Sequence, residues 1–126
     1  MTIYIDNAPG KGRGVFAAKD FRKGDTIEVC PVIVLPAAET SSIDDMALSD
    51  YCFEWNDKGD LAICLGYGSL YNHSKEPNAK FYTDHGNSTI LFKAEKDIRK
   101  GEEITHDYEW DLDEESTPDW FKKMYR

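Results

Sequence analysis

Short apolar runs alternate with polar turns along most of the chain. Valine, isoleucine and phenylalanine dominate the runs, and nine glycines punctuate them. This spacing is typical of short antiparallel strands and not of long helices. The pattern predicts strands at residues 14–17, 26–30 and 32–35, the last ended by Pro36.

A second pair of runs predicts a hairpin. Residues 79–83 and 88–93 flank the tetrad 84–87, an Asp-His-Gly-Asn sequence of the kind that forms turns. Taken with the first three runs, the hairpin predicts a mainly β fold of several small sheets.

Two segments predict one or two short helices. Ser42 can cap a first helix, with Asp45 three residues later. Its apolar side would consist of Ile43, Met46, Ala47 and Tyr51. Thr117 stands at an N-cap position and Pro118 at the first helical position, which predicts a helix near the C-terminus.

One pattern occurs twice at distant places. Residues 19–27 match residues 96–104, and each copy places an apolar residue, a basic pair, a glycine and an acidic residue ahead of a strand. Gly24 and Gly101, the two glycines, can take positive φ. We interpret the pattern as a reused turn-to-strand unit, because two copies are too few for a solenoid.

Composition narrows the possible partners. The 126 residues fit one domain, and 40% hydrophobic content suffices for one modest core. The formal net charge of -9 argues against direct nucleic-acid binding, which depends on clustered lysine and arginine. A basic partner is the better electrostatic match.

Cysteine usage and hydropathy predict the compartment. Cys30, Cys52 and Cys64 lack the close spacing of a zinc ribbon or redox motif, so we expect three reduced thiols. No stretch approaches the roughly 18 apolar residues of a membrane helix. We expect a soluble intracellular protein with no membrane partner, in the cytoplasm, or in the nucleus of a eukaryotic host.

Two short motifs carry candidate chemistry. The two glycines of Lys11-Gly12-Arg13-Gly14 would let backbone groups approach a ligand, although taken alone they are better explained by an ordinary turn. Asn72-His73 follows a glycine-interrupted aromatic segment at 65–71, which can bring two polar side chains against a small ligand. Alternatively, the pair satisfies backbone groups within a turn.

Other site chemistries are poorly supported. Ser74 lies in no nucleophile elbow. The three histidines, His73, His85 and His106, stand in unrelated contexts and do not predict a metal site.

The motifs together resemble a known family. Gly12-x-Gly14, Asn72-His73-Ser74 with the trailing Pro77-Asn78, and the run 101–104 leading to Asp107-Tyr108 occur in the order found in SET-domain protein lysine methyltransferases. The resemblance spans about residues 10–108. In its small size and its lysine at position 75, the chain most resembles the compact, free-standing viral and bacterial members.

This resemblance implies a fold, a cofactor and a set of site residues. The fold would be a SET domain with a pseudoknot-like C-terminal segment, and the cofactor S-adenosylmethionine, leaving as S-adenosylhomocysteine, with no metal. It assigns Tyr108 as the catalytic residue. The implied cofactor-binding residues are Lys11, Gly12, Arg13, Gly14, Asn72 and His73. The candidates for the lysine channel are Tyr51, Tyr67, Tyr71 and Trp110.

The C-terminal segment departs from the larger members, whose zinc-binding cysteine segments are missing here. We divide the chain into a SET domain at 1–110 and an acidic linker with a helix at 111–126. Trp110, Trp120 and Phe121 are candidates for a lid over the site or, alternatively, for the end of the core.

The implied activity is transfer of methyl groups from S-adenosylmethionine to lysine in a basic, histone-like protein or peptide. The alternative is a catalytically weak SET-like module that binds a basic peptide or protein. A homodimer is possible, since a second copy could complete the substrate groove of so small a chain.

Overall fold

The computed structural model describes residues 1–108. Nine strands make up most of its regular secondary structure: β1 Ile3–Ala8, β2 Gly12–Ala17, β3 Thr26–Leu35, β4 Cys52–Glu54, β5 Leu61–Cys64, β6 Asn72–His73, β7 Ala79–Asp84, β8 Thr89–Ala94 and β9 Glu103–His106. Helical structure is limited to α1 at Ala37–Thr40 and the 3-10 turns Ala47–Tyr51 and Gly68–Leu70. The mainly β prediction is confirmed.

The strands form two sheets. One has four strands in the order β1-β2-β9-β6, and the other has five in the order β4-β5-β3-β8-β7. Every neighbouring pair is antiparallel except β6 and β9, which are parallel. The predicted hairpin is confirmed as β7 and β8, paired from Ala79 opposite Ala94 to Asp84 opposite Thr89.

The structure corrects one predicted strand boundary, which lies within β3. The runs at 26–30 and 32–35 were predicted as separate strands, but they form one strand that passes through Pro31. The first part of β3 pairs with β8 and the second part with β5, so Pro31 lies where the strand changes partner. Its carbonyl still accepts a hydrogen bond from the Leu65 N–H, at 2.9 Å. A missing N–H is tolerated at such a crossover.

The prediction of a helix beginning at Ser42 is wrong. The segment forms the single turn α1 directly after Pro36, then hydrogen-bonded turns, and then the 3-10 turn Ala47–Tyr51. Ile43 is the buried apolar residue of this region, at 8% exposure, whereas Met46 is 53% exposed. With one apolar anchor the segment has no continuous face to hold a longer helix against the core.

The repeated pattern proves to be a pair of turns that bind each other. Phe21 and Ile98 exchange two backbone hydrogen bonds of 2.8 Å, and both side chains are buried. Lys23 N–H donates to Asp97 Oδ1 at 2.9 Å. The equivalent Lys100 N–H donates to Asp20 Oδ1 at 2.8 Å. The reused turn-to-strand unit is confirmed, and its two copies make equivalent, reciprocal hydrogen bonds to each other.

Strand β9 is hydrogen-bonded to two neighbouring strands and to the Asn78 side chain. It lies between β2 and β6, so a strand late in the sequence is inserted between two earlier ones. Beyond β6, the Asn78 side chain donates to Glu103 O at 2.8 Å and accepts from Thr105 N–H at 2.9 Å. This arrangement agrees with the predicted pseudoknot-like fold. It also carries the chain from the core directly to Tyr108.

Several predictions concern residues beyond 108. The linker and helix at 111–126, and the roles given to Trp110, Trp120 and Phe121, lie outside the described residues. Within 1–108, no helix is both long and apolar enough to cross a membrane.

Candidate active site

The glycine loop, residues 11–14, spans the turn after β1 and the start of β2. Gly12 has a φ of 81°, a conformation that side chains with a Cβ rarely adopt. Gly14 is needed for a different reason, because a Cβ there would overlap the Glu103 carboxylate and the Asn72 amide. The absent side chain therefore lets two polar groups from distant strands pack against β2.

Asn72 joins three segments. Its Nδ2 donates to the carbonyl oxygen of Arg13 at 2.9 Å and to Glu103 Oε2 at 2.7 Å. Lys11 Nζ lies 3.5 Å from the other carboxylate oxygen of Glu103. The asparagine thus ties the glycine loop to β9, and Glu103 offsets the charge of Lys11.

His73 positions the backbone of Tyr108. The imidazole is fully buried, and its Nδ1 accepts a 2.9 Å hydrogen bond from Tyr108 N–H. Burial lowers the pKa of His73, although the carboxylate of Asp107, 3.6 Å from Nδ1, acts in the opposite direction. A neutral ring is required here, because a protonated Nδ1 could not accept the bond.

The hydroxyl of Tyr108 is fixed by a second contact. It donates to the backbone carbonyl oxygen of Tyr71 at 2.6 Å. Tyr71 is itself 1% exposed, with its ring stacked on Phe92 at 4.4 Å between centroids. The tyrosine hydroxyl is therefore anchored to a part of the backbone that cannot move without disturbing the core.

These groups meet at one cleft of about 960 Å³. Four of the six predicted cofactor residues line it, together with the predicted catalytic tyrosine and two predicted channel tyrosines: Lys11, Gly12, Arg13, Asn72, Tyr108, Tyr51 and Tyr71. A cleft of this size is sufficient for a nucleoside-sized ligand. These residues lie up to about a hundred positions apart in the sequence, and the fold brings them to one place.

The other predicted site residues lie elsewhere. Gly14 and His73 are buried behind the cleft, and their direct contact with a cofactor stays a prediction. Tyr67 packs against the core without lining the cleft. Trp110, the remaining channel candidate, lies outside the described residues.

His106 separates the cleft from a second cavity. The smaller cavity, of about 330 Å³, shares the side chains of Phe81 and His106 with the main cleft. His106 is 2% exposed and lies among aromatic rings, including those of Phe53 and Tyr108 at 5.9 and 5.0 Å. Burial lowers its pKa to about 4, so the imidazole is neutral at physiological pH.

Sequence reasoning missed two residues that shape the site. Glu103 and Asn78 were noted only as parts of motifs, yet Glu103 binds Asn72 and Asn78 braces β9. A polar residue at the start of an otherwise buried strand was the available signal for Glu103. For Asn78, no signal in the local sequence predicts that its partner is β9.

The cleft also carries acidic groups. Asp44, Asp50 and Glu54, from the segment around the 3-10 turn Ala47–Tyr51, line the side contributed by that segment. Within residues 1–108, no three His, Cys, Asp or Glu side chains are grouped to hold a metal ion.

Comparison with known proteins identifies relatives of this arrangement. Residues 12–109 match the SET domain family. The chain is 32% identical over 119 residues to a histone-lysine N-methyltransferase of Schizosaccharomyces pombe specific for lysine 37 of histone H3, covering 91% of this chain and 80% of that protein. It is also 29% identical over 124 residues to the N-lysine methyltransferase KMT5A-A of Danio rerio, covering 86% of this chain and 34% of that protein.

A solved structure shows the same fold. The crystal structure of a candidate histone methyltransferase from Plasmodium falciparum superimposes with a TM-score of 0.71 at 32% sequence identity. The match covers 88% of this chain and 96% of that one.

Proposed function

Since the chain belongs to the SET-domain family, we propose that it transfers methyl groups from S-adenosylmethionine to the ε-amine of lysine in a basic protein. The observation that carries the proposal is one cleft lined by Gly12, Asn72 and Tyr108, with the tyrosine hydroxyl fixed against the Tyr71 carbonyl. Relatives named as lysine methyltransferases support the reaction class.

The residues of the cleft fit the proposed cofactor. Gly12 lines the cleft without a side chain and permits close backbone approach, as a flat adenosyl group would require. The absent Cβ of Gly14 lets Asn72 pack beside this loop. Arg13 brings positive charge to the cleft, suited to the cofactor's carboxylate, whereas the charge of Lys11 is offset by Glu103. When bound, S-adenosylmethionine supplies an electrophilic methyl group on its sulfonium.

The protein's own task is to present a neutral amine in the correct direction. A free lysine has a pKa near 10.4, so deprotonation near pH 7 costs roughly 4 to 5 kcal/mol. Phe53 and Phe81 line the cleft, and desolvation against their rings favours the uncharged amine. Positioning then supplies much of the remaining rate enhancement.

Tyr108 orients the amine. Because its hydroxyl hydrogen is donated to Tyr71 O, the phenol oxygen acts as acceptor toward an amine N–H or a methyl C–H. Asn72 holds the glycine loop in place through the Arg13 carbonyl, and His73 holds the backbone of Tyr108. No strong base is required for these steps.

The proposed substrate is a basic tail. The carboxylates of Asp44, Asp50 and Glu54 line the cleft, and the whole chain has a net charge of -9. Such a surface attracts lysine- and arginine-rich segments. Histone tails are the first candidates, because the Schizosaccharomyces pombe relative is specific for lysine 37 of histone H3.

Two measurements test the proposal together. Binding of S-adenosylhomocysteine at 100 times its Kd should stabilise the protein by about 2.7 kcal/mol, visible as a rise in Tm. Labelled S-adenosylmethionine should then transfer its methyl group to histone-tail peptides, with the modified lysine located by mass spectrometry. Peptide binding without any cofactor-induced rise in Tm would instead identify a non-catalytic binding module.

A further inference from the structure

Glu28 places a carboxylate behind the active site. It lies on β3, and its half-buried side chain receives two hydrogen bonds from one short segment of the chain. Tyr71 OH donates to Oε1 at 2.8 Å, and Tyr67 N–H donates to Oε2 at 3.0 Å. The carboxylate therefore holds both ends of the 3-10 turn Gly68–Leu70.

The glycines of this segment make room for the carboxylate and its neighbours. Gly66 has a φ of 64°, and a Cβ at this position would overlap Glu28 Oε2. A Cβ at Gly68 would overlap the Cys64 thiol. The Gly-Tyr-Gly sequence thus lets the backbone lie directly against Glu28 and β5.

The Glu28 carboxylate with its hydrogen bonds to Tyr67 and Tyr71 forms a clamp, and Tyr71 connects this clamp to the reacting groups. Burial, and then the charge of Glu28, raise the pKa of the Tyr71 phenol, so that the phenol remains a donor to the carboxylate. The backbone carbonyl of the same residue accepts the hydroxyl hydrogen of Tyr108 at 2.6 Å. One residue is therefore bound to Glu28 through its side chain and to Tyr108 through its main chain.

We propose that Glu28 is a positioning residue for methyl transfer: by clamping Tyr67 and Tyr71, its carboxylate fixes the carbonyl that orients the Tyr108 hydroxyl. This inference rests on the proposed function. Glu28 does not line the cleft, so it acts through Tyr71 and not on the substrate. A carboxylate with two charge-assisted hydrogen bonds holds a segment more rigidly than neutral groups would.

Glu28→Gln tests the inference, because the amide keeps the size of the side chain but cannot accept both bonds as an anion. We expect kcat to fall by about tenfold while the affinity for S-adenosylhomocysteine stays within about twofold, since the glycine loop and Asn72 are untouched. In a Tyr108→Phe background the same substitution should reduce kcat by less than about twofold, because the hydroxyl it positions is already gone.

A matched surface pair provides the control. Tyr82 OH donates to Glu95 Oε1 at 2.9 Å, which reproduces the Tyr71 to Glu28 bond away from the cleft. Glu95→Gln should leave kcat unchanged. If Glu28→Gln does not fold, Tyr71→Phe removes the same hydrogen bond and retains the ring. Its effect on kcat is then compared in the wild-type and Tyr108→Phe backgrounds, and the inference again requires a much smaller loss in the second.

Equal fractional losses of kcat in the wild-type and Tyr108→Phe backgrounds would overturn the inference, as would an unchanged kcat. A wild-type protein that neither binds cofactor nor transfers methyl groups would refute the proposed function instead. The clamp is then judged in 13C-tyrosine-labelled protein by NMR. Glu28→Gln should shift the Tyr108 ring resonances and Glu95→Gln should not, and unmoved resonances in Glu28→Gln would refute the clamp.

Discussion

The hydroxyl of Tyr108 lies 2.6 Å from the backbone carbonyl oxygen of Tyr71 and donates to it. The two residues are 37 positions apart in the sequence. Their contact depends on β9 being inserted beside β6, because this insertion brings the chain after His106 alongside the end of the Gly68–Leu70 turn. The predicted catalytic group is therefore oriented by the topology of the fold.

Replacing Tyr108 with Phe tests its role in the reaction. The ring contacts with His73 and His106, at 5.2 and 5.0 Å, should survive, so we expect a folded protein destabilised by only about 1 kcal/mol for the lost hydrogen bond. Cofactor affinity should stay near wild type. Methyl transfer should fall by about a hundredfold, measured with labelled cofactor. Near-normal turnover would remove Tyr108 from the mechanism.

Gly14→Ala should disturb the glycine loop on the side that faces Asn72 and Glu103. The new methyl group would collide with the Asn72 amide and the Glu103 carboxylate, two groups that cannot both move without losing their hydrogen bond. We expect destabilisation of about 1–3 kcal/mol and at least about tenfold weaker binding of S-adenosylhomocysteine by calorimetry.

Gly86→Ala is the matched control for this substitution. A Cβ at Gly86 would approach Asp84 Oδ1 no closer than 3.6 Å, in the exposed turn between β7 and β8. Its Tm and cofactor affinity should remain those of the wild type. Equal effects of the two substitutions would show that crowding at Gly14 is unimportant.

His106 should make folding stability sensitive to acid. Its pKa is about 4 in the folded protein, against about 6.5 in an unfolded chain, so between these values only the unfolded chain binds the proton. The free energy of unfolding should therefore be fully retained above pH 6.5 and decrease as the pH falls toward 4, by up to about 3 kcal/mol. The lowered pKa of His73 acts in the same direction.

Urea unfolding at pH 7 and pH 5 measures this dependence. His106→Phe keeps an aromatic ring in the cluster but has no titrating group, so the difference between the two pH values should shrink. An unchanged difference in His106→Phe would mean that other groups control the acid sensitivity.

The paired turns should contribute equally to stability. Asp20→Ala and Asp97→Ala each remove a carboxylate acceptor from a backbone N–H of the opposite copy. Each should lower the free energy of unfolding by about 0.5–2 kcal/mol in urea titrations, as the loss of a helix-capping side chain does. Asp57→Ala, at an exposed aspartate in the turn after β4, should change it by less than about 0.5 kcal/mol. A large difference between the first two would contradict the equivalence of the two reciprocal bonds.

Local pattern was a good guide where neighbours in sequence are also neighbours in space. The β7 and β8 hairpin was predicted nearly to its ends, because its turn residues and alternating side chains are local signals. The segment after Pro36 was mispredicted as a helix beginning at Ser42. There a helical spacing of apolar residues exists, but only Ile43 finds a buried position, and tertiary packing overrides the pattern.

The sequence by itself determined the β class and the order of the motifs, since both follow from residue type and short-range spacing. The candidate site residues came from the resemblance of those motifs to the SET-domain family. Only the tertiary structure decided that Glu103 lies between Asn72 and Lys11, that the two turns of the repeat bind each other, and that Glu28 holds the segment supporting Tyr108. These contacts join residues tens of positions apart. Their partners are selected by strand order and sheet packing, which no local periodicity encodes.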